Sequence, residues 1–289
     1  MTAYRLLALD IDGTLLRSDK TVSPRTLHAL SAAQRAGVRI VLITGRRYPA
    51  ARRVAAQLPC ETDLVLHNGA LIIEGEDVVR CRPLDREVAR LSVRVGRAAG
   101  ADPVVHCGRA GEGLLLVEGV AQSNTLLAYY LDRSHPDVRN VVDLEAAMDE
   151  DPIQVMFGGG LAEMAALRGR LERELGLRAR VERTVYPHLG VSLLDVLDPA
   201  VGKAEALAFL QQRFEVDAAQ TLAIGDNWND HEMLSGAGLG LVMGNADPEM
   251  LTLGLPVLPT NDEDGVALAN ERHVLPGRLP VGSPEKQRG

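Results

Sequence analysis

Residues 6–14 read Leu6-Leu7-Ala8-Leu9-Asp10-Ile11-Asp12-Gly13-Thr14, and the reading of this stretch decides the fold. Leu6–Leu9 is an uninterrupted apolar run bounded by polar residues, the pattern of a short strand buried on both faces of a parallel sheet. Asp10 stands at its carboxyl end, Asp12 follows two positions later, and Gly13 lets the backbone turn sharply. On strand geometry, residues two apart share a face, which predicts that the two carboxylates lie side by side. Carboxylates held close repel each other and are relieved by a shared hard cation or by protonation. Phosphoryl transfer from a monoester needs such a pair. One carboxylate attacks phosphorus, and the other serves as acid for the leaving alcohol and base for water. An isolated Asp-x-Asp also fits a solvated turn, or the metal site of a glycosyltransferase.

The same arrangement recurs along the chain. Ser23-Pro24 opens a helix with an N-cap residue and a proline at the first position; Leu27, Leu30 and Ala33 continue it at helical spacing, and Gly37 ends it. A second run, Val38–Ile43, leads into Thr44-Gly45-Arg46, and a third, Leu64–Leu66, into His67-Asn68-Gly69. Thr221–Ile224 leads into Gly225-Asp226-Asn227-Trp228-Asn229-Asp230, and Gly240–Met243 into Gly244-Asn245-Ala246. Ligands of open α/β sheets bind at the carboxyl ends of the strands, so these polar clusters are expected to meet in one crevice. From about Glu74 to His188 the pattern changes. Strands are expected at Leu114–Val117, Ile153–Phe157 and Val181–Glu182, and helices near Arg86–Ala99, Gln122–Leu131 and Leu161–Leu175. This segment reads as a second α+β unit inserted into the first, which resumes at Val191. The run Gly158-Gly159-Gly160 reads as a flexible strand-to-helix connection, because it has neither the lysine nor the spacing of a nucleotide loop.

Composition narrows the partners. The 289 residues are 46% hydrophobic and 24% charged with a formal charge of −8, which suits a globular chain and argues against nucleic acid or an acidic membrane as partner. Met1–Arg5 runs straight into the first strand without a basic leader, and no apolar run approaches the roughly 18 residues of a membrane helix. The expected location is the cytoplasm. Cys60, Cys81 and Cys107 are odd in number and form no CxxC pair, as expected of free thiols. Of the 31 basic residues only Lys20, Lys203 and Lys286 are lysines, so a lysine inside a motif stands out from the surface charge.

Lys203 is such a residue. It follows Gly202 at the start of a helical pattern, where a compact ammonium can contact a carboxylate and a phosphate oxygen together. Thr44 ends a strand, where its hydroxyl and the following backbone amides of Gly45 and Arg46 could bind phosphate at a helix start. Asp226 is placed like Asp10, at a strand end, and could complete an oxygen shell for magnesium, with Asp230 orienting a water or Lys203. Helix capping is the bland alternative for both. The glycines of 236–240 precede a strand instead of following one, the wrong context for a dinucleotide loop.

Taken in order, ALDIDGTLL (8–16), ITGR (43–46), the lysine of VGKAEAL (201–207) and IGDNWND (224–230) resemble the four motifs of the haloacid dehalogenase superfamily. HNGA, VMGNA and TNDEDGVA resemble its Cof-type branch of sugar-phosphate phosphatases, so the likeness runs from Leu6 to about Ala269. The resemblance implies an α/β fold, with a Rossmann-like parallel-sheet core at 1–79 and 189–273, an inserted α+β cap at 80–188 and a tail at 274–289. It implies a phosphoric monoester hydrolase acting on a small phosphorylated metabolite, as a monomer or homodimer. Asp10 would be the nucleophile and Asp12 the general acid/base, while Thr44 and Lys203 bind the phosphoryl group. Mg²⁺ would be held by Asp10, the Asp12 backbone carbonyl and Asp226, with Asp230 in support. Gly45, Arg46, Asn68 and Asn229 would touch phosphate or substrate. In the cap, His106, Arg109, Tyr129 and His188 are candidates to face the pocket. A phosphomutase or phosphotransferase on the same scaffold is the nearest rival. A glycosyltransferase leaves Lys203, Asp226 and Asp230 without a role, and a pure binding protein has no use for a second carboxylate at Asp12.

Overall fold

In the computed structural model, which describes residues 4–108 and 113–275, the apolar runs form two sheets. The first sheet takes β1 (Leu6–Leu9), β2 (Arg39–Ile43), β3 (Asp63–Leu66), β4 (Leu71–Glu74) and β5 (Asp77–Cys81) from one end of the chain. It takes β12 (Thr221–Gly225) and β13 (Leu239–Val242) from the other. The second sheet holds β6 (Val104–His106), β7 (Leu115–Val117), β8 (Val138–Asn140), β9 (Gln154–Gly160), β10 (Arg180–Tyr186) and β11 (Val191–Leu197). The helices are α1 (Pro24–Arg35), α2 (Tyr48–Ala55), α3 (Arg86–Ala98), α4 (Thr125–Ser134), α5 (Leu144–Ala147), α6 (Leu161–Leu175), α7 (Lys203–Arg213), α8 (His231–Gly236) and α9 (Gly265–Ala269).

The first sheet runs β13-β12-β1-β2-β3-β4-β5. Strands β13 to β3 are parallel, and β4 and β5 close that edge as an antiparallel hairpin. Side chains alternate along β1 because strand residues do. Leu7 and Leu9 pack with Leu30, Ala33 and Val266 on one face, and Leu6 and Ala8 pack with Ala206, Leu207, Leu210 and Met233 on the other. Both faces are covered, so all four residues of β1 are fully buried, each leucine contributing roughly 1.5–3 kcal/mol. That is why the sequence shows a continuous apolar run here instead of alternation. Helix α1 starts as its sequence predicts, with Ser23 Oγ accepting the Thr26 N–H at 3.1 Å and Pro24 at the first position.

Strand β1 pairs with β2 on one side and β12 on the other. The chain leaves β1 in one direction and returns to its opposite flank at β12, so the strand order reverses at this seam. A crevice outside the carboxyl ends is the expected consequence. Asp10 and Asp226 are the first residues beyond β1 and β12, and the Asp10 N–H donates to the Ile224 carbonyl at 3.0 Å.

The second sheet runs β10-β11-β9-β6-β7-β8 and is antiparallel except at β7–β8. Helices α3 and α6 cover one face through Val93, Leu167, Leu171, Phe157 and Leu194. Gly96 lets α3 approach, since a Cβ there would stand 2.1 Å from the Phe157 ring. Helix α4 covers part of the opposite face, its Leu127 packing with Val104, Met156 and Leu193.

Two readings of the sequence change. Gly158–Gly160 is the end of strand β9, paired with Val191–Leu193, and not a connection. A Cβ on Gly158 would lie 2.9–3.2 Å from Leu193, Leu127 and Leu126, so the glycines make room for α4 over the sheet. Val191–Leu197 belongs to the second sheet, although its apolar pattern resembles that of the first. We therefore propose Arg82–Leu197, in place of 80–188, as the extent of the inserted cap. The hairpin β4–β5 and the short strands β6 and β8 were not evident from the sequence. Arg109 and all but the first two residues of the 274–289 tail lie outside the described residues. Among the described residues no helix is long and apolar enough to cross a membrane, and the cysteines are free thiols.

Candidate active site

Lys203 is the first residue of α7, preceded by Gly202 in extended conformation. Its side chain enters the crevice buried, with Nζ donating to Asp10 Oδ1 at 2.7 Å and Asp230 Oδ1 at 2.6 Å. Burial alone would lower the lysine; the two carboxylates overcome it and hold Lys203 above its ordinary range. The second oxygen of Asp230 accepts the backbone N–H groups of Asp226 and Asn227, each at 3.1 Å. A Cβ on Gly225 would meet the Asp230 carboxyl at 2.5 Å, so the turn after β12 is shaped around that side chain.

Burial pushes Asp10 up to about 7 although Lys203 pulls it down, and Asp230 and Asp12 add to the rise. Asp226 is raised well above the usual carboxylate range by burial, then by Asp10 and Asp230. Its Oδ1 accepts the Thr14 hydroxyl at 2.8 Å. Oxygens of Asp10, Asp226 and Asp230 lie within 4.8 Å of one another, which leaves three buried carboxylates facing one ammonium. Asp230 spends both oxygens on protein donors, whereas Oδ2 of Asp10 and of Asp226 accepts no hydrogen bond among the described residues. Gly13 adopts φ +79°, and a Cβ there would fall 2.2 Å from Asp226 Oδ2. An all-oxygen, negatively charged cradle of Asp10, Asp226 and Asp230 is chemically suited to a hard, compact dication.

Asp12 lies apart from the lysine centre. Strand β1 ends at Leu9, so the turn, and not the strand pleat, sets its direction. Arg46 clasps it with Nε at 2.6 Å from Oδ2 and Nη2 at 2.7 Å from Oδ1, and Lys20 Nζ stands 3.7 Å away. Burial would raise Asp12, but Arg46 and Lys20 outweigh it and hold the carboxyl below its ordinary range. Thr44 is buried directly after β2, and its hydroxyl accepts the Arg46 N–H at 3.2 Å. Helix α2 begins only at Tyr48, so Thr44 sits in a loop ahead of the helix and not at its first turn. Gly45 is backed by the Asn68 amide, 3.2 Å from where a Cβ would be.

Residues 7–269 match the family model of haloacid dehalogenase-like hydrolases. This chain belongs to that family. It is 30% identical to the HMP-PP phosphatase of Serratia proteamaculans over 256 residues, covering 88% of this chain and 89% of that protein. It is 28% identical to the 5-amino-6-(5-phospho-D-ribitylamino)uracil phosphatase YitU of Bacillus subtilis, covering 91% and 94%. Among solved structures, a haloacid dehalogenase-like hydrolase from Bacteroides thetaiotaomicron superimposes with a TM-score of 0.77 at 26% identity, covering 93% of this chain and 99% of that one. The chain is thus an enzyme of the phosphatase type.

The cap of this hydrolase reaches the crevice through residues other than those expected. Tyr129 is exposed and bonded to Arg133, and His188 is exposed. His106 is buried between His67 and Tyr130, with both ring nitrogens unpartnered among the described residues. Asp195 of β11 and Gln154 of β9 contact the core instead. Asp195 accepts from Asn68 Nδ2 at 3.0 Å and from Gln154 Nε2 at 2.8 Å, and Asn68 Oδ1 accepts from Asn229 Nδ2 at 2.9 Å. Tyr186 of β10 lies within the field of Asp12, Asp10 and Asp226, which reinforces the burial that raises its phenol. In the other direction Arg47, a buried core residue, donates to Asp137 at 2.6 Å and to the carbonyls of Gly113 and Ser134 in the cap. The sequence offered one signal for this contact: Asp195 is a lone charge inside the apolar run of β11.

Proposed function

We propose that this chain is a Mg²⁺-dependent phosphatase that hydrolyses a small phosphomonoester, a sugar phosphate or related metabolite, through an aspartyl-phosphate on Asp10. One observation carries the reading. A buried carboxylate pair, Asp10 and Asp226, each with a free oxygen, shares the strand-order reversal with Lys203. Asp10, Asp226 and the Asp12 backbone carbonyl would hold the Mg²⁺, which supplies positive charge for the phosphoryl oxygens.

The chain's own groups divide the remaining work. Lys203 favours the ionised form of Asp10 and holds it in place, and its charge would also face the phosphoryl group. The free Asp10 oxygen attacks phosphorus as the bond to the leaving oxygen breaks. Asp12 gives that oxygen a proton, then takes one from the water that attacks the phosphorylated Asp10, releasing inorganic phosphate and restoring the carboxylate. Arg46 is clasped to Asp12 and would turn to the substrate phosphate as Asp12 takes up its proton. Thr44, with the Gly45 and Arg46 amides, lines the same site. The named relatives remove phosphate from small metabolites, which supports a substrate of that size; the cap supplies the choice among them.

A screen of phosphorylated metabolites with phosphate detection tests the reading. Phosphate release that needs added Mg²⁺, stops with EDTA and is absent in Asp10→Asn supports it. Transfer to a second hydroxyl without net phosphate release would replace hydrolysis with a mutase.

A further inference from the structure

We infer that Asp195, a carboxylate of the cap sheet, is a positioning residue for the hydrolysis proposed above. Through Asn68 it sets which end of the Asn229 amide faces the reacting group. The inference rests on the phosphatase reading and adds to it a cap residue that acts on the core centre without touching substrate.

The warrant is the direction of a buried hydrogen-bond chain. An amide has a donor end and an acceptor end, while an ionised carboxylate only accepts. Asp195 Oδ2 draws the Asn68 NH₂ at 3.0 Å, which turns Asn68 Oδ1 toward the Asn229 NH₂ at 2.9 Å. Asp195 Oδ1 draws the Gln154 NH₂ at 2.8 Å, which turns Gln154 Oε1 toward His67 Nδ1 at 3.3 Å. Both arms therefore point inward to one carboxylate. At the far end of the first arm, Asn229 Oδ1 is buried and without a partner among the described residues. The group that completes it is an O–H donor, a substrate hydroxyl or the incoming water, and not an anionic phosphate oxygen.

The arms also grip a strained turn. His67 and Asn68 have φ of 50° and 55°, a region that side chains other than glycine rarely adopt. Their N–H groups donate to the carbonyls of Arg46 at 3.1 Å and Thr44 at 3.0 Å, so the turn is continuous with the Thr44–Arg46 loop. Asp195 is the group both arms share. Burial pushes it up to about 7, with Glu182 directly across the strand pair adding to the rise, while Asn68 and Lys203 pull it down. Tyr130 and Tyr186 also feel its charge, and burial keeps His67 neutral, down at about 4. Protonated, Asp195 would become a donor along one arm and reverse it.

A double-mutant cycle tests the inference, using the full chain with Mg²⁺, p-nitrophenyl phosphate as substrate and inorganic phosphate as the titrated ligand. Asp195→Ala is expected to lower kcat about tenfold and to tighten phosphate binding about threefold, because a freed Asn229 amide can then offer its NH₂ to the anion. In the Asn229→Ala background the same change should alter kcat less than twofold. If Asp195→Ala does not fold, Asp195→Asn replaces it, since an amide cannot accept along both arms; a loss of at least threefold, again confined to the Asn229 background, is expected. Additive effects in the cycle, or weaker phosphate binding together with a higher KM, overturn the positioning role and leave the phosphatase reading intact. If wild type hydrolyses no monoester, the phosphatase reading falls, and phosphate affinity across the cycle still decides the coupling of Asp195 to Asn229.

Discussion

Replacing Lys203 with methionine keeps the length and bulk of the side chain and removes only its charge and donors. Lys203 is 2% exposed, and its ammonium is the sole cation bonded to Asp10 and Asp230 among the described residues. Removing one partner of a buried ion pair costs about 3–5 kcal/mol, because the remaining charges are left uncompensated. For a chain of this size that is a fall in Tm of roughly 6–20 °C, at 2–4 °C per kcal/mol. The loss should depend on pH in a definite direction. Lys203 lowers the pKa of Asp10 and of Asp226, so without it these two native carboxylates rise further above their unfolded values. A raised carboxylate pKa means the native state binds more protons, and stability is kept at low pH and lost as pH rises. The deficit of Lys203→Met should be small at pH 5 and full at pH 8. Saturating Mg²⁺ should recover part of it, since a ligand of the native state alone stabilises that state. Urea unfolding in EDTA at the two pH values, repeated with Mg²⁺, reads all of this. A deficit under about 1 kcal/mol at pH 8, or one that shrinks as pH rises, would refute the picture of a charged, lysine-compensated cluster.

Asp10→Asn preserves shape and removes the proposed nucleophile, so turnover should fall by about a thousandfold or more while the thermal unfolding curve keeps its cooperativity; retained turnover would remove Asp10 from that role. Gly13→Ala forces a Cβ to 2.2 Å from Asp226 Oδ2 at φ +79°, and should cost about 1–3 kcal/mol and weaken the Mg²⁺-induced rise in Tm. An unaltered Mg²⁺ response would show that Gly13 does not shape the metal cradle. Arg47→Ala deletes the core side chain that binds Asp137 and two cap carbonyls, leaving buried acceptors unpaired at about 1–3 kcal/mol. Hydrogen exchange at 134–137 should accelerate, and unchanged protection there would argue against Arg47 as a tie between core and cap.

The sheet and the polar clusters at its strand ends were legible because each strand of the parallel core reads as apolar letters that stop abruptly at polar ones. Covered faces produce the runs, and the carboxyl ends produce the clusters. Lys203 could be picked out for a different reason, the scarcity of lysine in this chain. The cap was less legible. Half-exposed strands such as β8 carry no clear period, and Gly158–Gly160 looked like a linker because the reason for small residues, the approach of α4, lies in another segment. Pairing partners were invisible in the same way. The clasp of Arg46 on Asp12 and the convergence of Asn68 and Gln154 on Asp195 join residues from separate strands, loops and domains. Local pattern places a side chain on an element but does not say which remote element supplies its partner.

The core is split in sequence, and this governs when the centre can exist during synthesis. Asp10 and Lys203 are 193 positions apart, and Thr14 and Asp226 are 212 apart. At about 5–20 residues per second, roughly 10–40 s separate the first carboxylate from its lysine. During that interval the flank of β1 that β12 will occupy is an unpaired edge carrying bare N–H and C=O groups, a surface open to wrong pairing. The insert, continuous in sequence and with a hydrophobic core of its own, is complete before β12 is made. The nascent chain therefore carries its inserted sheet ahead of the buried acid–lysine cluster, and β12 both shields the vulnerable edge and brings Asp226 and Asp230 to Asp10.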